Sequence, residues 1–483
     1  MPNQFISPDD QGREQFALIR EWLDRWQTDT PDLKEMDRML RKLQEQRLPP
    51  AVFRNSLELL FGCLTQYLSP LLKKIAAVRV PTGRRQREEI VSLQTTLNNF
   101  ALAYEWLQNN LAGIDFAVKD EHIIAERIAF CLVYRIYIAH LVAAPIEQGI
   151  WLRLHRAGLR DVSGQYLSAS YRLAILLAAV QPVSFASREL AQLLPTLVKY
   201  AEEVMLHVIP PIQPKKMEKI FWIAPRRDFP IFALNRREPM PEEPVFYFDG
   251  AYIAAKIMMD SDLEKEGESK YERRLRKSIL RRAAEAIGAP GRRTLLRRKR
   301  QFEMRRATVH VGLEAFWAEL LHERGLAEKN GIEVKESSKW MIVNESPNGY
   351  ALMLLDGKVG SVRAGDVVAL RTETEKDWLA CLVRWVQSDN PEHLEIGLQV
   401  VAMSAIPAML QSSSGSRSCE VPLLVLPEHP PLREAEALLA PSGAITDERY
   451  HLWVANGGAG EERVVSLRES EQNSRVELFT IAP

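Results

Sequence analysis

The sequence is poor in the features that mark secreted, membrane-spanning and metal-binding proteins. Its 483 residues include four cysteines and no CxxC pair. Such scattered thiols argue against a disulfide framework or a zinc site and favour reduced cysteines. Even the run IAFCLVYRIYIAHLVAAPI is interrupted by Arg135 and His140, whereas a membrane helix needs roughly 18 apolar residues in a row. The N-terminus lacks the basic region and apolar stretch of a signal peptide, so we expect a soluble, cytoplasmic protein.

Catalytic signatures are also missing from the chain. It has no GxxxxGK[ST] phosphate loop, no GxSxG, no HExxH and no GxGxxG after a predicted strand. His122 and Glu126 lie four residues apart on a predicted helix, a spacing far more typical of an ordinary helix contact than of half an active site. We therefore predict a binding protein rather than an enzyme, with no catalytic residue, no bound metal and no cofactor.

Charge of one sign is not in excess, because 63 Lys and Arg residues balance 63 Asp and Glu residues. The charges are nevertheless unevenly distributed along the chain. Residues 270–306 contain fifteen Lys or Arg against three acidic residues, a net of +12, so the rest of the chain carries −12. Neutrality therefore argues against a dedicated binder of long polyanions, whereas a small anionic ligand bound at one place remains compatible with it.

The first part of the chain has helical periodicity. One apolar face with this spacing consists of Leu57, Leu60, Cys63, Leu64 and Leu68. We predict an all-helical domain over residues 1–208 and a proline-rich connector with one or two edge strands after it. The basic segment KYERRLRKSILRRAAEAIG then reads as a helix with Gly288 and Pro290 as stop signals, which completes a connector over residues 209–290.

After Arg306 the hydrophobic period becomes two, and short runs such as AGDVVALRT and WLACLVRWVQ are bounded by turn residues. This pattern predicts a small antiparallel barrel over residues 291–410. The intervening segment GLEAFWAELLHERG reads as a helix that caps the barrel core with Phe316, Trp317 and Leu320. QSSSGSRS, residues 411–418, has the composition of a linker, and residues 419–483 are expected to form a further small β unit.

The most informative segment is the hexapeptide Asn344-Glu345-Ser346-Pro347-Asn348-Gly349, an NxSxxG pattern between two predicted strands. One interpretation is a hairpin turn, because Asn and Ser close turns on backbone groups and Gly accepts positive φ. A second interpretation is a rim whose polar groups address a planar ligand. Together with GSVRAGDVVAL, WLACLVRWVQ and HLEIGLQVV, the hexapeptide resembles the PilZ domain, the bacterial cyclic di-GMP receptor module, over about residues 291–405. In the closing strand Val400 stands where the family has an aromatic residue.

The resemblance implies a six-stranded antiparallel barrel and an RxxxR motif before its first strand. Arg293 and Arg297 match that motif, and they would clamp the phosphates and guanine edges opposite Asn344, Ser346 and Gly349. Guanidinium groups suit this task because their planar fork binds such acceptors bidentately and stacks on bases. The neighbouring arginine Arg298 is assigned to the same site, and three further arginines are alternatives: Arg292, Arg300 and Arg305. Arg297 precedes Asn344 by 47 positions, more than in the usual domain, and the excess contains the predicted helix.

Three hypotheses about the function follow from the sequence. The first is a bacterial cyclic di-GMP effector in which ligand binding rearranges a helical domain that contacts an unidentified protein partner. The second is a ligand-free scaffold that uses the same barrel. The third, disfavoured by the absence of a nucleic-acid-binding motif, is nonspecific nucleic-acid contact through residues 270–306. The basic helix could equally lie against an acidic surface of the helical domain, and homo-oligomerisation stays open.

Overall fold

The computed structural model consists of a helical region, a small three-stranded sheet with two further helices, and two β-barrels. It describes residues 17, 19, 21, 33–45, 48–111, 118–159, 167–209, 220–234, 242–288, 305–390, 393–412, 420–430, 433–445, 449–456 and 459–482. This architecture confirms the predicted fold class, an all-helical region followed by β-barrel structure. Within these ranges no helix is long and apolar enough to cross a lipid bilayer.

The helical region packs around one apolar core. Its helices are α1 Leu33–Glu45, α2 Pro50–Ala76, α3 Arg84–Leu111, α4 Val118–Leu141, α5 Ile150–Gly158, α6 Ala169–Ala179 and α7 Ser187–Ala201. All five residues of the predicted apolar face of α2 are buried. The Phe61 ring packs edge-on against Phe100, Tyr104 and Phe130 at centroid distances of 5.2–5.8 Å, which ties α2 to α3 and α4. Periodic burial rather than local propensity therefore holds these helices together.

The connector contains more regular structure than we predicted. Strands β1 Ile220–Ile223, β2 Phe232–Ala233 and β3 Phe246–Asp249 form an antiparallel sheet in the order β2-β1-β3. Helix α8, Ala251–Asp262, follows directly. The sequence analysis did not predict this helix, because it continued the proline-rich connector past Pro244, the last proline before the helix. The basic segment forms helix α9, Lys270–Gly288, as expected.

The first barrel spans residues 306–402. It consists of β4 Arg306–Val311, helix α10 Leu313–Glu323, β5 Ser338–Ser346, β6 Gly349–Asp356, β7 Val367–Thr372, β8 Leu379–Asn390 and β9 His393–Ala402. The strands close in the order β4-β5-β6-β9-β8-β7. Trp340 fills the interior with 0% exposure, and its indole Nε1 donates to Ser338 Oγ at 2.8 Å.

The expected small β unit is a second closed barrel. Its strands are β10 Ile406–Ser412, β11 Val421–Leu426, β12 Ala437–Pro441, β13 Arg449–Asn456, β14 Ala459–Gln472 and β15 Val476–Ala482. The strand over residues 406–412 pairs with β11 and β13, so it belongs to the second barrel rather than to the unit expected over 291–410. It also includes the first two residues of the expected linker, and residues 413–418 lie outside the described ranges. Local composition did not indicate where the first barrel ends, because strand pairing depends on partners that are distant in the sequence.

Helix α10 lies outside the first barrel and not within its core. Phe316 and Leu320 are buried among outward-facing residues of the first barrel, such as Leu382, and leucines of the second, such as Leu424. Trp317 Nε1 donates to the Ala408 carbonyl of the second barrel at 2.9 Å. The helix inserted between β4 and β5 therefore joins the two barrels.

Candidate functional site

The NxSxxG segment forms a tight hairpin between β5 and β6. Ser346 pairs with Gly349 in the strand register, and Pro347 and Asn348 make the turn. Ser346 Oγ donates to the Gly349 carbonyl at 3.3 Å, and Val400 N donates to the Asn348 carbonyl at 3.0 Å. A Cβ at Gly349 would overlap the Leu398 carbonyl oxygen of β9. Glycine is thus required here by close strand approach rather than by positive φ.

The register places the motif residues on the outer face of the barrel. Asn344 lies opposite Ala351, Ala351 opposite Gly397, and Gly397 opposite Trp385. The alternate residues of the same strands, including Tyr350 and Leu398, belong to the interior cluster. Asn344 and Trp385 therefore occupy the two ends of a row whose middle positions, Ala351 and Gly397, have small side chains.

Trp385 lies directly above Gly397. A Cβ at Gly397 would fall 2.5 Å from Cδ1 of the indole and closer still to Nε1 and Cε2. Sequence reasoning used Trp385 and Gly397 only as marks of resemblance and did not assign them to a site. A glycine inside a predicted strand often marks a close approach, so this signal was available in the sequence.

The arginines of the expected site are only partly described. Arg292, Arg293, Arg297, Arg298 and Arg300 lie outside the described residues. Arg305 is described and reaches the hairpin, where its Nη1 lies 3.4 Å from Oε2 of Glu345 and its Nη2 donates to Thr374 Oγ1 at 3.2 Å. Its carbonyl accepts from Ile342 N at 2.9 Å. The chain that follows the arginine segment therefore enters the barrel at the rim that carries the motif.

The basic helix α9 is neutralised by acidic residues of the same chain. Its ion pairs are Arg273 with Glu264 at 2.5 Å, Arg276 with Glu268 at 2.7 Å, Lys277 with Asp262 at 2.7 Å and Arg282 with Glu189 at 2.9 Å. The hydrogen bond from Arg276 lowers the pKa of Glu268, and that from Lys277 lowers the pKa of Asp262. Most of these pairs are made within residues 262–282, and among the four only Arg282 reaches the helical domain, at Glu189, whereas the sequence analysis considered an acidic surface of that domain.

The helical region contacts the first barrel at the end opposite the hairpin. Val362 N donates to the Val80 carbonyl and Arg363 Nη2 to the Val78 carbonyl, at 2.9 and 3.0 Å. Ser388 N donates to the Ala143 carbonyl at 2.8 Å. A cavity of about 390 Å³ remains between the two parts, and Trp385 lines it from the barrel side. Trp385 thus belongs both to the outer face and to the domain interface.

The closed barrel order, the NxSxxG hairpin and the segment Gly365-Asp366-Val367-Val368 that leads into β7 define this part of the chain as a PilZ domain. A family model described as the middle PilZ domain of the cyclic-di-GMP receptor FimW matches residues 321–407. A second model, for the N-terminal domain of the same receptor, matches residues 17–212. Two separate parts of the chain are therefore similar to domains of that receptor.

One curated relative is similar in sequence. The cyclic-di-GMP receptor FimW of Pseudomonas aeruginosa strain PAO1 is 28% identical over 90 residues. The aligned part covers 19% of this chain and 15% of the relative, so the chain matches only a small share of that protein's length.

Proposed function

We propose that this chain is a receptor for cyclic di-GMP, bound on the outer face of the first barrel at the NxSxxG hairpin. The observation that carries the proposal is the cross-strand row from Asn344 through Ala351 and Gly397 to Trp385. It places hydrogen-bonding groups at one end of the row and, at the other end, an aromatic ring that lies above Gly397. A receptor role also accords with the absence of catalytic motifs in the sequence.

The ligand chemistry fits the residues available. Cyclic di-GMP carries two phosphates, and its guanines present O6 and N7 acceptors that arginine forks bind bidentately. We propose that Arg293, Arg297 and Arg298 supply these forks, with Arg292, Arg300 and Arg305 as alternatives. Asn344, Ser346 and Gly349 would form the opposite wall, and the indole of Trp385 offers a stacking surface for a base.

We further propose that binding is coupled to the helical region. Trp385 supports this idea because it lies on the outer face and also lines the cavity against the helices. The helical region would in turn contact a protein partner, and exposed apolar side chains such as Val198, Met205 and Val208 at 47–66% exposure support a contact surface there. A cytoplasmic location is part of the same proposal.

Calorimetry with cyclic di-GMP tests the binding proposal. We expect micromolar or tighter binding by the wild type, and its loss both in Arg293→Ala/Arg297→Ala and in Ser346→Ala. The matched control is Arg84→Ala/Arg85→Ala, which removes the same charge from side chains that are 93% exposed on α3. It should bind as the wild type does. A wild type that shows no heat at millimolar ligand would refute the proposal.

One observation favours a ligand-free interaction module as the second candidate. The motif residue Glu345 places a carboxylate beside Arg305, so an intramolecular anion already occupies one arginine at the rim. The two candidates differ in thermal stability, because a ligand that binds the native state must raise the melting temperature. An unchanged melting temperature at saturating cyclic di-GMP would favour the module.

A further inference from the structure

The second barrel has the same strand connectivity as the first. In the first barrel the strands follow one another around the closed sheet as first, second, third, sixth, fifth and fourth in chain order. The second barrel closes in the order β10-β11-β12-β15-β14-β13, which is the same permutation. A closed six-stranded sheet can be threaded in many ways, so a repeated permutation within one chain points to two copies of one fold.

An irregularity in the fifth strand allows the two barrels to be aligned residue by residue. In β8 the register against β9 shifts at three places, and the middle shift lies between Val383 and Trp385. In β14 the register against β15 shifts between Glu469 and Glu471. Each bulge adds one residue at the same place relative to the sixth strand, and bulges are specific features of a sheet rather than accidents. Trp385 and Glu471 therefore occupy equivalent positions.

This alignment identifies the counterpart of the motif row. In the second barrel Glu471 lies opposite Leu478, Leu478 opposite Leu439, and Leu439 opposite Leu424. Gly397, Ala351 and Asn344 of the first barrel thus correspond to three leucines. In the adjacent row Leu426 takes the place of Ser346. The small and polar residues that form the candidate site in the first barrel are replaced by large apolar ones.

These leucines are not exposed. Leu424, Leu426 and Leu439 have 0% exposure, and they pack against Phe316 and Leu320 of α10 and against outward residues of the first barrel such as Leu382. Polar contacts surround the leucine contact. Arg475 Nε donates to Asp366 Oδ1 at 2.5 Å, and Arg384 Nη1 donates to Glu471 Oε1 at 3.3 Å.

We infer that the C-terminal barrel is a second PilZ-type barrel whose motif-equivalent face has become an apolar docking face for the first barrel and α10. Its described residues form no nucleotide site of their own, and its role is to hold the first barrel in place. The absence of a second site rests on the proposed function, whereas the docking role does not.

Hydrogen exchange of the full chain without nucleotide tests the docking role. In Leu439→Ser we expect amide exchange in α10 to rise by at least about tenfold, because loss of a buried leucine costs more free energy than that factor represents. Strands β13 and β14 should keep their protection. Val464→Ser, at a side chain that is 64% exposed on β14, is the control and should leave α10 unchanged.

Two results would overturn the docking role: unchanged exchange in α10, or simultaneous loss of protection in α10 and in β13–β14. Should Leu439→Ser fail to fold, the half-buried Leu478→Ser carries the same expectation. The single-site claim is tested by cyclic di-GMP calorimetry on Asn344→Ala/Ser346→Ala, which should show no binding. Residual binding would overturn that claim, whereas a wild type without binding would refute the proposed function and leave the exchange result valid.

Discussion

The close approach of Trp385 to Gly397 leads to a prediction about both stability and binding. In Gly397→Ala the new methyl group would lie 2.5 Å from Cδ1 of the indole, whereas ordinary contacts begin at 3.4 Å. The ring must therefore move away from the small residues of the row. Overpacking of this kind costs about 1–3 kcal/mol, and displacement of the stacking surface should weaken cyclic di-GMP binding by about tenfold or more, equivalent to about 1.4 kcal/mol.

A double-mutant cycle separates the clash from other effects of the added methyl group. Trp385→Ala removes the ring, so Gly397→Ala should cost little in that background, and the two substitutions should be coupled by about 1–3 kcal/mol in urea denaturation. Gly360→Ala in the same barrel is the control, because nothing lies within 4 Å of its Cβ position. Additive substitutions, or a Gly397→Ala variant as stable as Gly360→Ala, would refute the reasoning.

Three further predictions concern buried groups. Glu189 is 2% exposed, accepts a hydrogen bond from Ser474 N at 2.7 Å and forms an ion pair with Arg282. Because Glu189→Gln removes one charge of a buried pair, it should lower the free energy of unfolding by about 3–5 kcal/mol. Glu88→Gln is the control, because it removes an exposed carboxylate and should lower the free energy of unfolding by less than about 1 kcal/mol. Equal denaturation midpoints for the Glu189→Gln and Glu88→Gln variants would contradict this prediction. Burial lowers the pKa of His155 from 6.5 to about 4. Its contribution to the free energy of unfolding is therefore complete above pH 6.5, and it falls by about 3 kcal/mol as the pH drops to 4, because the unfolded chain takes up the proton first. A His155→Gln variant with the same acid dependence as the wild type would disprove this. Burial also raises the thiol pKa of Cys131 and Cys381, so mass-spectrometric mapping should find both unalkylated in the native protein, and rapid labelling of Cys381 would argue against a closed barrel.

Several elements could be predicted because their signals are local. The apolar face of α2 follows from spacing, the basic helix α9 from its stop signals, and the hairpin at Ser346 and Gly349 from turn chemistry. Helix α8 was missed because a proline-rich pattern was extended beyond its last proline. For the five arginines of residues 289–304 the site assignment stays a prediction.

The sequence by itself determined the periodicities, and with them the helical region, the strands and the NxSxxG turn, because each depends on residues close together in the chain. The tertiary structure decided three features: which strands close each barrel, which residues share the row with Asn344, and where the charges of α9 are neutralised. Each depends on register or contact between segments far apart in sequence. Period-two patterning states that Trp385 and Gly397 lie in strands, but only the pairing of β8 with β9 places one above the other.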